Sequence, residues 1–245
     1  MTEEGKEYIC INCGRPVKNL YKKYSDTVLK LTECDVCNSI ADKYVEYDTV
    51  VIIIDLILLR AMAYKHILLN SEFKNFWKLS IILLLLETYS NWTIETRDKR
   101  IEVNDTKPYL VEADIYLEDF KFYKLCFNIT INTLCFVMMI YIFTMIYSFL
   151  KYQATISFLM IYKTVTLSST GIFLFLPSLV WDISVHEFHL HFITIYTTLS
   201  QLLAYKALCN CEKIWSLLVI FSGILLKTSI GDSFGNIEQF VKNNF

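Results

Sequence analysis

Two cysteine pairs, Cys10-x2-Cys13 and Cys34-x2-Cys37, separated by twenty residues, are the side chains of this chain best spaced to do defined chemistry. A CxxC in a tight turn aims two sulfurs at one point, and two such turns supply the four ligands of a tetrahedral ion. Four thiolates close the coordination shell and leave no open position for a substrate, so the set reads as structural zinc rather than as a catalytic metal. Redox or disulfide use is the competing reading, but thiolates persist in the reducing cytosol, where a metal site is the more natural fate. Two pairs are fewer ligands than a two-zinc ubiquitin-ligase domain needs.

Other groups invite chemistry and carry less of it. The run "VHEFHLH" puts His186, Glu187, His189 and His191 together, but the zincin pattern H-E-x-x-H needs a histidine at 190, where Leu190 stands. Four histidines in the whole chain are too few for the repeated boxes of a membrane di-iron enzyme, so a polar interhelical loop is the plainer reading. Asp55, Glu87 and Lys163 are ionisable groups in apolar surroundings, which makes each a functional candidate or a segment end. Cys209 and Cys211 flank Asn210 at a helix end, where palmitoylation or a plain thiol are both open, and Cys126 and Cys135 read as packing residues. No nucleophile–base pair, phosphate loop or carboxylate dyad is legible, and no enzymatic activity is expected.

The elements that must position these residues are helical and apolar. Of 245 residues, 54% are hydrophobic, above the about 45–50% of soluble domains, and six glycines with three prolines leave few turns. A net charge of −2 offers no basic footprint for nucleic acid. The fold class expected is an α-helical multispanning membrane protein with a small N-terminal zinc-ribbon (β) knuckle domain. Residues 1–47 form the ribbon, too short to fold without a metal, and "LYKKYSDTVLKL" between the knuckles suits a hairpin. Residues 48–70 are apolar but carry Asp55, Arg60, Lys65 and His66, which suits an interfacial or re-entrant segment. Residues 71–245 form the transmembrane region, with spans expected at 126–150, 155–181 and 190–209 and marginal ones at 76–92 and 214–227. Residues 93–124 read as an exposed polar loop with an amphipathic helix near its end.

The first 49 residues contain no apolar core of a cleavable signal, so the ribbon is expected in the cytosol. Lys151, Lys206 and Lys213 then fall on the cytosolic side if all five segments cross, whereas the basic residues of 93–124 agree only if 76–92 does not. Sequons at Asn91 and Asn104 bear on that choice.

The ordered set Cys10-x2-Cys13, Cys34-x2-Cys37, "ADKYVEYD" (41–48), "IDLILL" (54–59) and "AYKHILLN" (63–70) resembles the homology domain of the Arv family of endoplasmic-reticulum membrane proteins. The resemblance covers about the first 70 residues. Lys65 stands where arginine is expected and Met62 where glutamine is common. What the resemblance implies is sterol transport and distribution, effects on sphingolipids, and a role in glycosylphosphatidylinositol-anchor synthesis. Membrane lipids, sterol or glycolipid, are the implied partners, alongside anchor-biosynthesis proteins if the chain is instead a non-transporting accessory subunit. The residues themselves suggest a metal knuckle tied to a membrane-surface segment, with Asp55, Tyr64, Lys65 and His66 facing lipid or a partner.

Overall fold

The computed structural model describes residues 8–25, 28–103, 113–152, 155–180 and 187–244, with side chains from 97–103, 113–119, 179–180, 187 and 232–244 left aside. The chain opens with four short strands in two antiparallel pairs. Strand β1 (Tyr8–Ile9) pairs with β2 (Pro16–Val17) around the first knuckle, and β3 (Tyr21–Lys23) pairs with β4 (Leu29–Leu31) as the expected hairpin. A 3-10 turn over Lys43–Glu46 then leads into α1 (Thr49–Ile57), α2 (Ala61–Lys65) and a π turn over His66–Asn70.

The rest is a helical bundle of α3 (Phe76–Val103), α4 (Ala113–Lys151), α5 (Phe158–Ser168), α6 (Phe175–Val180), α7 (Glu187–Cys209) and α8 (Lys213–Asn244). Its core gathers Phe136, Val137 and Ile140 of α4, Ile161 and Val165 of α5, Tyr205 of α7 and Val219 and Ile220 of α8. Among the described residues, three stretches are long and apolar enough to cross a membrane: 120–151, 158–178 and 213–231. The first and third contain the sequence segments 126–150 and 214–227. Segments 190–209 and 76–92 are helical, inside α7 and α3, but neither is among the three; Thr194, Thr197, Thr198, Ser200 and Gln201 dilute the first, and Lys78 and Glu87 the second.

The polar segment 93–124 departs from the loop expected of it. Its first eleven residues complete α3 and residues 113–124 begin α4, while 104–112 lie outside the described residues. No glycine or proline occurs between Phe76 and Lys107, and charged residues with good helix propensity extend an apolar helix readily.

The second crossing stretch is not one smooth helix. After α5 the chain tightens into a 3-10 turn over Ser169–Leu174, and Pro177 then sits in the first turn of α6, where its missing N–H costs nothing. Gly171 explains the tightening. A Cβ at that position would stand 2.8 Å from the Tyr196 ring and closer still to Thr197, so glycine lets the turn press directly onto α7.

Many polar groups inside the bundle are satisfied locally or across helices, although Asn132 Oδ1, His189 Nε2 and Trp215 Nε1 are buried without a partner among the described residues. Thr88, Thr130, Thr144 and Thr164 donate to the carbonyl four residues back, and Asn132 Nδ2 donates to the Lys227 carbonyl at 3.0 Å. Lys163 lies 5.1 Å from the centre of the Phe76 ring. Glu87 of α3 accepts from Lys227 Nζ of α8 at 2.5 Å, a pair 140 residues apart in sequence. In apolar surroundings each of these charges needs the other. Lys227→Ala should therefore destabilise the bundle by roughly 3 kcal/mol, and Glu87→Gln added to it should recover most of that loss. Thermal melting of the two variants in one detergent checks this; a single variant that melts with the wild type contradicts the pairing.

Candidate metal centre and the cavity beside it

Both knuckles are built by the same backbone device. Gly14 N–H donates to the Cys10 carbonyl and Asn38 N–H to the Cys34 carbonyl, each at 2.9 Å, closing a turn over each CxxC. The residue after each second cysteine takes positive φ, +77° at Gly14 and +53° at Asn38, the two residue types that tolerate it best. The sulfurs of Cys13 and Cys34 are then 3.6 Å apart, those of Cys10 and Cys37 3.8 Å, and all four ligand atoms lie within 4.8 Å of one another. Four sulfurs about 2.3 Å from one zinc ion form a tetrahedron with edges of about 3.8 Å. A disulfide needs about 2.05 Å, and all four cysteines are free thiols.

Electrostatics point the same way. Backbone N–H groups of Cys37 and then Val36 hold the Cys34 thiol down to about 7. At Cys13 the Arg15 N–H favours the thiolate, but burial and the sulfurs of Cys34, Cys10 and Cys37 outweigh it and push the thiol up to about 11. Four clustered thiolates repel one another, and a bound divalent cation removes that penalty. Among the described residues these four cysteines are the set able to hold a metal ion. His189 and His191 of α7 do not join such a set, and His186 lies outside the described residues.

The ribbon is fastened to the helices through one buried carboxylate. Asp42 has no solvent exposure, and its Oδ1 accepts from the Tyr44 backbone N–H at 3.0 Å. Its Oδ2 takes His66 Nδ1 and Asn70 Nδ2, both at 2.7 Å, from the two ends of the π turn. Asn70 also brackets a ribbon residue, accepting from Ile9 N–H at 2.9 Å and donating to the Ile9 carbonyl at 2.8 Å. It thereby completes the edge of β1 as a neighbouring strand would.

A second buried acid holds α1. Asp55, 6% exposed, accepts from the Tyr44 hydroxyl at 2.7 Å and sits 3.4 Å from the Arg60 guanidinium. Burial, then the hydrogen bond to Asp55, raises the Tyr44 phenol well above its usual range, so it stays a donor. Tyr64, 1% exposed, shares a hydrogen bond of 2.7 Å with Ser200 of α7, and the Tyr196 hydroxyl donates to the Ile57 carbonyl at 2.8 Å.

These positions correct part of the sequence reading. Asp55 and Tyr64 turn inward to bind ribbon and bundle, each finding a protein partner that a headgroup would otherwise supply, while His66 is held by Asp42 on one side and lines a cavity on the other. Lys65 is half-buried, with no hydrogen bond or ion pair among the described residues, and Met62 is exposed. Cys211 is buried, burial pushes its thiol up, and Asn210 beside it meets the first knuckle at Gly14, so this turn is a packing contact. Asp42, Tyr44 and Asn70 escaped notice as site residues although "ADKYVEYD" and "AYKHILLN" contain them. Their signal was polar type inside otherwise apolar motifs.

With its acid turned in, α1 shows its apolar side outward: Val50, Ile53, Ile54, Ile57 and Leu58 are all exposed. With the π turn, α1 borders a cavity of about 750 Å³, which the exposed Ile53 and Ile57 also reach. Ile52, Ile53 and Leu56 line it from α1, His66 and Ile67 from the π turn, Leu79 from α3, and Thr170, Phe173 and Leu174 from the 3-10 turn before α6.

The model of the Arv1-like family matches residues 9–205, from the first strand of the ribbon nearly to the end of α7. The chain belongs to the Arv1-like family. It is 30% identical to Protein ARV1 of Mus musculus over 97% of this chain and 87% of that one, and 29% identical to Protein ARV1 of Homo sapiens over 98% and 86%. Against Protein ARV1 of Saccharomyces cerevisiae it is 51% identical, over 26% of this chain and 20% of that one. No solved structure matches. Family membership thus reaches well beyond the 70 residues whose motifs first suggested it, into the helices that wall the cavity.

Two outcomes follow from the site. Elemental analysis of reduced protein should find one divalent metal ion per chain, reduced at least severalfold by Cys10→Ser with Cys34→Ser; equal metal in both proteins contradicts the site. Asn70→Ala strips partners from Ile9 and Asp42 together and should cost about 2–3 kcal/mol, with faster proteolytic cleavage within the ribbon. Unchanged melting and cleavage would dismiss Asn70 as the fastening.

Proposed function

We propose that this protein serves lipid homeostasis in the endoplasmic-reticulum membrane, distributing a sterol, with its zinc-loaded ribbon on the cytosolic side. Effects on sphingolipids and on glycosylphosphatidylinositol-anchor synthesis follow as consequences of that distribution. Membership of the Arv1-like family supports the lipid role, and the cavity beneath α1 is the observation that carries it. Its volume lies within the roughly 300–1,000 Å³ of small-molecule sites, and its lining is mostly apolar with few polar groups. The exposed apolar side of α1 supports placing that helix at the bilayer face, where a lipid could pass beneath it. In this reading the metal acts at a distance. Bound zinc supplies rigidity alone: the knuckles fix Ile9 and Asp42, which fix the π turn, which sets one wall of the cavity.

A non-transporting accessory role in an anchor-synthesis complex is the second reading, favoured by the exposed Tyr21, Tyr24 and Val28 of the ribbon hairpin, a surface suited to a protein partner. Sterol transfer between liposomes tests the first. Purified protein should accelerate transfer over empty liposomes, and Ile53→Trp, which fills the cavity from its exposed side, should slow it about tenfold, the effect of ~1.4 kcal/mol. A wild-type rate equal to that of empty liposomes would overturn the transport reading and favour the accessory one.

A further inference from the structure

The polar groups around the cavity are not a random sprinkling; their donors are almost all spent. Tyr196 donates its hydroxyl proton to the Ile57 carbonyl, Ser71 to the Ile67 carbonyl at 2.8 Å, and Thr170 to the Leu167 carbonyl at 3.0 Å. Glu72, also in the lining, is a carboxylate paired with Lys74 at 2.5 Å. The exposed Thr49 hydroxyl is the remaining polar group. Apart from that hydroxyl at the exposed edge, what the wall can still offer a ligand is lone pairs.

His66 sharpens that bias. It is buried, it lines the cavity, and its Nδ1 lies 2.7 Å from Asp42 Oδ2. The same oxygen accepts from Asn70 and the other from the Tyr44 N–H, so the carboxylate is an acceptor on every side, and an imidazole carrying one proton holds it on Nδ1. The lone pair is left on Nε2, which no described residue engages.

We infer that Nε2 of His66 is the acceptor for the hydroxyl of the lipid that occupies this cavity, and that Asp42 fixes the tautomer that makes it one. The inference rests on the reading that the cavity takes a lipid, and narrows the class to an apolar body ending in a hydroxyl donor. A phosphodiester headgroup, which brings acceptors and negative charge, meets spent donors and the Glu72 carboxylate instead. Asp42 therefore has two duties: it fastens the ribbon, and it orients the ring that reads the ligand.

The test compares two photoactivatable probes in liposomes holding the full metal-loaded chain: a diazirine sterol with a free 3-hydroxyl, and its 3-methyl ether, which keeps shape and acceptor oxygen but lacks the proton. Wild type should be labelled about tenfold more efficiently by the alcohol, the effect of one unmade hydrogen bond to a buried group. Labelled peptides should map to residues 49–79. In His66→Phe, checked for wild-type metal content and melting, the two probes should label alike; in His66→Gln, which restores an acceptor, preference for the alcohol should return in part. The wild-type comparison stands without any variant. Equal labelling of wild type by both probes overturns the role of His66 while leaving a lipid in the cavity. No labelling above empty-liposome background by either probe overturns the lipid reading as well. Preference for a photoactivatable anionic phospholipid over both would reverse the inferred ligand class.

Discussion

A carboxylate cut off from water is the constraint on which this architecture turns. Asp42 is wholly buried, and an unpaired charge there would cost several kcal/mol, so the protein surrounds it with three donors taken from three directions. One comes from the turn that leaves the ribbon, and two come from a π turn whose extra width puts His66 and Asn70, four residues apart, on the same acid. Satisfying that single group forces the ribbon, the turn and α1 into one arrangement. Because Asn70 simultaneously borrows both backbone groups of Ile9, next to the first cysteine of the cluster, any displacement of the knuckle is felt in the turn.

The same logic inverts α1. Soluble surface helices hide apolar residues and show charge; this one hides Asp55 against Tyr44 and shows valine, isoleucine and leucine. Such a helix is stable only if something apolar covers its outer side, the part that the proposed function gives to a bilayer. The acid is not a lipid contact but the peg that sets the rotation of the helix. Knuckle, peg and π turn then define a roof, while α3, α5, the 3-10 turn and α7 supply the floor, with Gly171 letting the 3-10 turn close onto α7.

How much of this could be read from the chain divides by sequence distance. Both knuckles and the hairpin between them were legible because ligand spacing, positive-φ residues and turn lengths are local properties. Fold class was legible for the same reason, since hydropathy needs only a window. Tyr64 with Ser200, 136 residues apart, and Glu87 with Lys227 are invisible to such windows, and so the sequence alone sent Tyr64 outward and left Glu87 without a partner. Asp55 is the informative case. Its oddity in an apolar run was plain, but polarity says only that a partner must exist; the hydroxyl of Tyr44, eleven residues earlier, is settled by the 3-10 turn that holds Tyr44. α3 continues past Trp92, where the charged sequence suggests a loop, because charge alone does not end a helix and no glycine or proline stands there to do so.

The central claim is mechanical: metal in the ribbon holds the wall of a cavity more than twenty residues further along the chain. Hydrogen exchange of the reconstituted protein, with and without a zinc chelator under reducing conditions, reads this directly. Metal removal should speed exchange in the ribbon and carry the loss of protection into α1 and the His66–Asn70 turn, while the α4–α8 core stays protected. Protection of the His66–Asn70 turn that survives loss of the metal would contradict the account.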